Sequence, residues 1–157
     1  MKRMSLISIS LLLVVLIFAG GCSDASYSSD PKQVVISLFG AMEKDDKAAI
    51  AHILDLPELM KVVNDDYALQ TDKPRVFTSP QEVLEDLTET GLTKQRWFSF
   101  QRIVNEAEVN GETATVGVTF VDKKNSKGYM AKFGLHLVNG KWKIYTFNTV
   151  KESDAGY

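Results

Sequence analysis

Tyr129-Met130-Ala131-Lys132-Phe133-Gly134-Leu135-His136-Leu137-Val138-Asn139-Gly140-Lys141-Trp142-Lys143-Ile144-Tyr145-Thr146-Phe147 decides how the rest of the chain is read. Its residue types alternate with a period of two. Tyr129, Ala131, Phe133, Leu135 and Leu137 share one face of a strand over about 129–138, because successive side chains of a strand point to opposite faces. Asn139-Gly140 then offers two residues that tolerate positive φ, which a two-residue hairpin requires. The return strand, about 141–149, carries Trp142, Ile144 and Thr146 on one face and Lys143, Tyr145 and Phe147 on the other.

Upstream the same grammar recurs. Asn110-Gly111 is another hairpin turn. The strand after it, about 112–122, puts Ala114, Val116, Val118 and Phe120 on one face and Thr113, Thr115, Gly117 and Thr119 on the other. Lys123 to Gly128 forms a looser turn. The strand before Asn110, about 96–109, alternates imperfectly and is expected to bend or bulge. Its Glu106 and Glu108 share the phase of Phe98, Phe100 and Val104. Four strands joined by short turns make an antiparallel meander.

Before Gly91 the period is 3.6. Asp30-Pro31-Lys32-Gln33 reads as a helix start, with Asp30 as cap and Pro31 in the first position. Val34, Val35, Leu38, Phe39 and Met42 give a helix over about 31–44 its apolar face. Asp45-Asp46 restarts a helix bearing Ala49, Ile50, Ile53 and Leu54, and Pro57 opens a third, short one with Leu59, Met60 and Val63. Residues 65–78 lack periodicity and are expected as loop. Ser79-Pro80-Gln81-Glu82 repeats the start signal, Val83, Leu84 and Leu87 follow, and Gly91 suits the stop. Helices first and a meander afterwards predict an α+β class, with N-terminal helices packed on a curved four-stranded antiparallel sheet.

The beginning of the chain has a different character. Lys2 and Arg3 precede an apolar run from Leu6 to Phe18, and Ala19-Gly20-Gly21-Cys22 follow. The pattern is that of a secretory signal, and the run is shorter than the roughly 17–25 residues of a membrane span. Ala19-Gly20-Gly21-Cys22 resembles the lipobox of bacterial lipoproteins, with Ala19 where that family most often has Leu. The resemblance implies a diacylglyceryl thioether on Cys22, cleavage before it, and a membrane attachment through its acyl chains. It places the protein in the cell envelope, at the outer membrane if the cell is Gram-negative, since Ser23 rather than Asp follows. Cys22 is the only cysteine among 157 residues, so the mature chain holds no intrachain disulfide. The expected organisation is a signal over 1–21, a Ser-rich spacer over 22–30, a domain over 31–150 and a polar tail over 151–157. The net charge of the whole chain is −2, and the signal removes two cations. This acidic balance argues against a nucleic-acid partner.

A Pro-started first helix, the acidic break Glu43-Lys44-Asp45-Asp46 and the closing Gly140-Lys141-Trp142-Lys143-Ile144 together resemble the nuclear-transport-factor-two-like superfamily, also called SnoaL-like or cystatin-like. The resemblance covers about Pro31 to Val150. It implies a cone, with the sheet wrapped around the first helix and a pocket between them. Members include isomerases, dehydratases, binding domains and interaction modules, so the fold alone selects no activity.

The chemistry favours a module over an enzyme. A general base must reach a substrate proton inside the cone, and the clear inward faces offer Ala, Val, Phe and Leu, with Tyr129 near one end. His52 is expected partly buried in the second helix, and His136 exposed beside Lys132 and Gly134. Asp45-Asp46 and Asp65-Asp66 read as helix caps and solvated charge. No cofactor or metal is called for, since neither the phosphate-binding nor the nucleotide-binding fingerprints occur. Phe39, Phe120, Phe133 and Trp142 are the candidates to line an apolar pocket. The expected function is a non-catalytic binding or interaction module holding an apolar small molecule or an envelope protein. The alternatives are an isomerase- or hydrolase-type enzyme of the same fold and a structural envelope lipoprotein without ligand. Tyr145, Phe147 and Val138 on the outer face offer a contact for a protein partner or a homodimer.

Overall fold

A computed structural model describes residues 29–68 and 76–150. The signal, Cys22 and the tail 151–157 lie outside the described residues. Among the described residues five helices come first: α1 (Pro31–Glu43), α2 (Lys47–Ile53), α3 (Leu56–Ala68), α4 (Pro80–Asp86) and α5 (Leu92–Phe98). Four strands follow: β1 (Gln101–Asn110), β2 (Thr113–Val121), β3 (Gly128–Val138) and β4 (Lys141–Val150). The strands pair antiparallel in sequence order. The α+β class is therefore the one predicted, with the helices packed on a curved four-stranded sheet. None of the described helices is long and apolar enough to cross a membrane.

The helix starts follow their capping residues. The Asp30 carboxylate accepts from the Lys32 amide at 2.9 Å, Asp46 from Ala49 at 2.9 Å and Ser79 from Glu82 at 3.3 Å. Glu82 turns back to accept from both the amide and the hydroxyl of Thr78. Val34, Val35, Leu38, Phe39 and Met42 of α1 are all buried. They meet the inward residues of β2 and β3, among which Val116, Val118, Phe120, Phe133 and Leu135 are fully buried.

Two expected helix boundaries change. Residues 96–98, expected to open the first strand, belong instead to α5, and the strand begins at Gln101. Here Asp86 accepts from the Thr93 amide at 3.2 Å and its hydroxyl at 2.5 Å, holding the first turn of α5 against α4. Gly91 makes the corner between them: a Cβ there would meet the Asp86 carbonyl oxygen at 2.2 Å. The third helix is not short, for α3 runs on to Ala68 through part of the expected loop. Asn64 fastens it to the returning chain by donating to the Phe77 carbonyl and accepting from its amide, both at 2.9 Å.

Two bulges reset the strand phases and bend the sheet. In β1 the register breaks between Val104 and Ala107, so Asn105 and Glu106 together face Gly117. Ala107 then packs against the core, while Glu106 and Glu108 are exposed, which removes them from the cone. In β4, Ile144 pairs with Leu135 and Thr146 with Gly134, which leaves Tyr145 as the extra residue. Phe147 consequently pairs with Phe133 and turns inward, its ring 5.6 Å from that of Phe133. The expectation of Phe147 on the outer face is corrected, and Thr146 exchanges faces with it. The free edge of β4 is partly covered: Leu54 bridges Ile144 in parallel, and the Asp55 amide donates to the Ile144 carbonyl at 2.8 Å.

Candidate functional site

Arg102, Phe120 and Tyr129 are neighbours across β1, β2 and β3, in one row near the end of the sheet where β2 turns into β3. The Tyr129 ring stacks on Phe120, with centroids 4.8 Å apart and planes at 11°. Phe100, in the turn leading out of α5, meets Tyr129 edge-on at 5.4 Å. Trp97 of α5 reaches inward, 5.7 Å from Phe120, 5.4 Å from Phe133 and 5.8 Å from Phe39 of α1. Edge-on and offset arrangements of this kind favour ring packing beyond the area they bury.

Two guanidinium groups border these rings. Arg102 lies 3.9 Å from the centre of Phe98 and 5.5 Å from that of Phe39, and donates to the Trp97 carbonyl at 3.0 Å. Burial lowers its pKa and the Glu43 carboxylate opposes this, but an arginine keeps its charge throughout. Arg96 sits over Tyr129, 4.9 Å from the ring centre. The Tyr129 hydroxyl oxygen is buried and has no hydrogen-bond partner among the described residues. Burial pushes its phenol above the ordinary value, and Arg96 pulls the other way, through its charge and through the approach of its guanidinium to the hydroxyl. A buried polar group left unpaired costs about 1–3 kcal/mol. This end of the cone thus combines an aromatic wall, two cations held on ring faces and a buried hydroxyl with no formed hydrogen bond among the described residues. Such a set suits an apolar or aromatic body bearing an acceptor oxygen or negative charge.

Of the residues singled out in the sequence, Phe39, Phe120 and Phe133 come together, with Phe39 at 6.2 Å and 5.9 Å from the other two rings. Trp142 does not join them. It pairs with Leu137 at the other end of β3, and its indole N–H donates to the Ser29 carbonyl at 3.1 Å. Cys22 is outside the described residues. Arg96, Trp97, Phe100 and Arg102 were not among the sequence candidates. Their grouping depends on α5, whose polar Thr93-Lys94-Gln95-Arg96 run after Gly91 was the available signal.

A second polar constellation lies on the outer face. The Asp55 carboxylate accepts from the Glu58 amide at 3.3 Å at the start of α3 and meets His136 Nε2 at 2.9 Å. The imidazole lies 4.7 Å from the Tyr145 ring, tilted 32° to it, so His136 is engaged and only part-exposed, contrary to expectation. Lys143, paired with His136 across the strands, donates to the His52 carbonyl. Burial lowers its pKa, Lys141 adds to this, and Asp55 opposes it. His52 itself is exposed, not partly buried.

The helices also border an open cleft of about 480 Å³, on which Lys47, Glu82, Glu85, Asp86 and Glu89 converge. These acids serve structure: Glu82 caps α4, Asp86 holds α5, and Glu89 pairs with Lys47 at 2.9 Å. Among the described residues no three His, Cys, Asp or Glu side chains converge in a way that suits a metal ion.

Neither a protein-family model nor a curated protein matches the sequence. Solved structures similar to the chain include NTF2-like proteins. A multiply substituted form of Rd1NTF2_05 is 13% identical, covers 76% of this chain and 95% of its own, and has a TM-score of 0.49. An NTF-2 like protein of unknown function from Shewanella oneidensis MR-1 is 13% identical over 74% of this chain and 93% of its own, with a TM-score of 0.45. A Streptomyces avermitilis protein with the provisional name of a dehydratase from the NTF2-like family is 17% identical over 74% and 90%, with a TM-score of 0.46. These likenesses concern the arrangement of the chain and carry no activity with them.

Proposed function

We propose that this protein is a lipid-anchored cell-envelope module that binds, without chemical turnover, a molecule with an apolar or aromatic body and an acceptor oxygen. The observation that carries the binding reading is the Tyr129 hydroxyl, buried and without a formed hydrogen bond among the described residues, close to the Arg96 guanidinium and beside the Phe100 ring. A ligand oxygen would meet the hydroxyl and the cation together, and its body would lie on the part-exposed Phe100 and Tyr129 rings.

The test is a thermal-shift screen with benzoate, indole-3-acetate and octanoate on wild type and Tyr129→Phe. At least one probe should raise the wild-type midpoint. A hydrogen bond to a charged group is worth about 1.5–3 kcal/mol, so Tyr129→Phe should weaken that probe about ten-fold or more. The variant without ligand should be no less stable than wild type, because it removes an unsatisfied group. Equal binding by the variant, or no shift with any probe, would refute the reading.

The anchor rests on Ala19-Gly20-Gly21-Cys22. Each buried CH₂ of an acyl chain contributes roughly 0.8 kcal/mol, and one chain binds reversibly whereas two or more hold fast. Cys22→Ser should therefore block lipidation and leave full-length precursor, read as an unshifted mass. Normal maturation of that variant would sink the anchoring reading.

A further inference from the structure

Two features fix where the tether leaves the domain. The Trp142 indole holds the Ser29 carbonyl at 3.1 Å, and Asp30 caps α1 directly after it. Along β3, Trp142 faces Leu137, whereas Tyr129 lies eight residues earlier, paired with Phe120. At about 3.3 Å per strand residue, the β3 positions at the two ends, Leu137 and Tyr129, are roughly 26 Å apart. The first helix runs the same way: α1 starts beside Trp142 and carries Phe39 to the Arg102 guanidinium at the Tyr129 end. Tether exit and candidate site occupy opposite ends of the cone.

Ser29 follows Cys22 by seven positions. Even fully extended, seven residues span at most about 23–25 Å. Turning the site toward the bilayer would lift the exit by about the length of the cone, at the limit of what the seven residues can span fully extended. From this geometry, and resting on the anchored-module reading above, we infer that the domain stands with its Trp142 end toward its own bilayer and displays the Tyr129–Arg96 site away from it. Its ligand then arrives from the aqueous side, as a dissolved molecule, and not as a lipid lifted from the anchoring leaflet.

The turns at the two ends of β2 supply the test. Glu112, whose carbonyl accepts from the Leu137 amide at 3.0 Å, is exposed at the Trp142 end, and Lys124 is exposed at the Tyr129 end. The full-length lipidated protein with Glu112→Cys or Lys124→Cys is labelled with a thiol-reactive fluorophore in phosphatidylcholine vesicles carrying a headgroup nitroxide quencher. Cys22, as a thioether, takes no label. The Glu112→Cys label should be quenched several-fold more than the Lys124→Cys label. Equal or reversed quenching overturns the orientation while leaving the anchor intact. Labelling of the wild-type chain would instead show a free Cys22 thiol, and the anchoring reading would fail together with the inference built on it.

Discussion

Gly134 shows what a single position demands. It lies on the outer phase of β3 and is buried beneath β4, where a Cβ would sit 2.6 Å from the Thr146 γ-methyl and 3.2 Å from the Tyr145 ring. The first contact is closer than real Cβ atoms approach their neighbours, so an alanine must displace β4. Overpacking of this kind costs about 1–3 kcal/mol. Gly134→Ala should therefore lower stability to urea by that order, and Thr146→Ser, which removes the methyl, should recover part of the loss. Urea melts of the two single variants, the double variant and wild type measure the coupling. An alanine penalty unchanged in the Thr146→Ser background would show that the methyl is not the obstacle. The alternation around Phe133 and Leu135 made the inward face legible in the sequence. The crowding above Gly134 was not, because it depends on the bulge that puts Tyr145 and Thr146 there. Phe147 was misplaced for the same reason: one extra residue moves every later side chain to the opposite face.

At the level of elements, the joint between helices and sheet turns on Asp55. Its backbone bonds the edge of β4, one carboxylate oxygen caps α3 and the other holds His136. Removing a helix cap costs about 0.5–2 kcal/mol, and the His136 contact is lost with it. Asp55→Ala should destabilise by about 1–2 kcal/mol, while Asp55→Asn, which retains an acceptor for the Glu58 amide, should lose less. Thermal or urea melts decide it, and equal losses in the two variants would mean that the cap contributes nothing separable. The start of α3 near Pro57 was readable, as were the Asp30, Asp46 and Ser79 caps, since each depends on residues within one turn. The use of Asp55 as a clasp was not, because His136 lies 81 positions away. Reading residues 96–98, the end of α5, as the start of a strand had a similar origin. Trp97 and Phe98 favour strands, and the Asp86 carboxylate that secures the first turn of the helix is a tertiary contact. That error hid the candidate site, because the α5 helix is what brings Arg96 over Tyr129 while Trp97 reaches Phe120 and Phe133.

Across the whole molecule, a charged network closes the helical layer. Asp45 sits at φ +56° in the corner between α1 and α2. Its carboxylate accepts from the Lys94 ammonium at 2.6 Å and from the Glu89 amide, while Lys47 reaches Glu89 at 2.9 Å. The corner is thereby joined to the turn between α4 and the Lys94-bearing α5. The Lys94 hydrogen bond, followed by the Glu89 amide, holds the Asp45 carboxyl below its ordinary value of 3.8. A carboxyl with a depressed folded pKa contributes stability that is present above its unfolded value and is lost as pH falls through the folded one. The Glu89 hydrogen bond raises Lys47 above 10.5, so that its contribution is present below that value and disappears only in strong alkali. Surface ion pairs are weak and screened by salt, so the prediction concerns the sign and the pH window. Asparagine tolerates the left-handed backbone at position 45, which makes Asp45→Asn a substitution of charge with the turn preserved. Its stability deficit against wild type should be constant near neutrality, shrink as the pH is lowered below about 4, and diminish at high ionic strength. Urea midpoints of both chains from about pH 7 to about pH 2 would trace this convergence, and a deficit independent of pH would place the role of Asp45 in backbone geometry instead of charge.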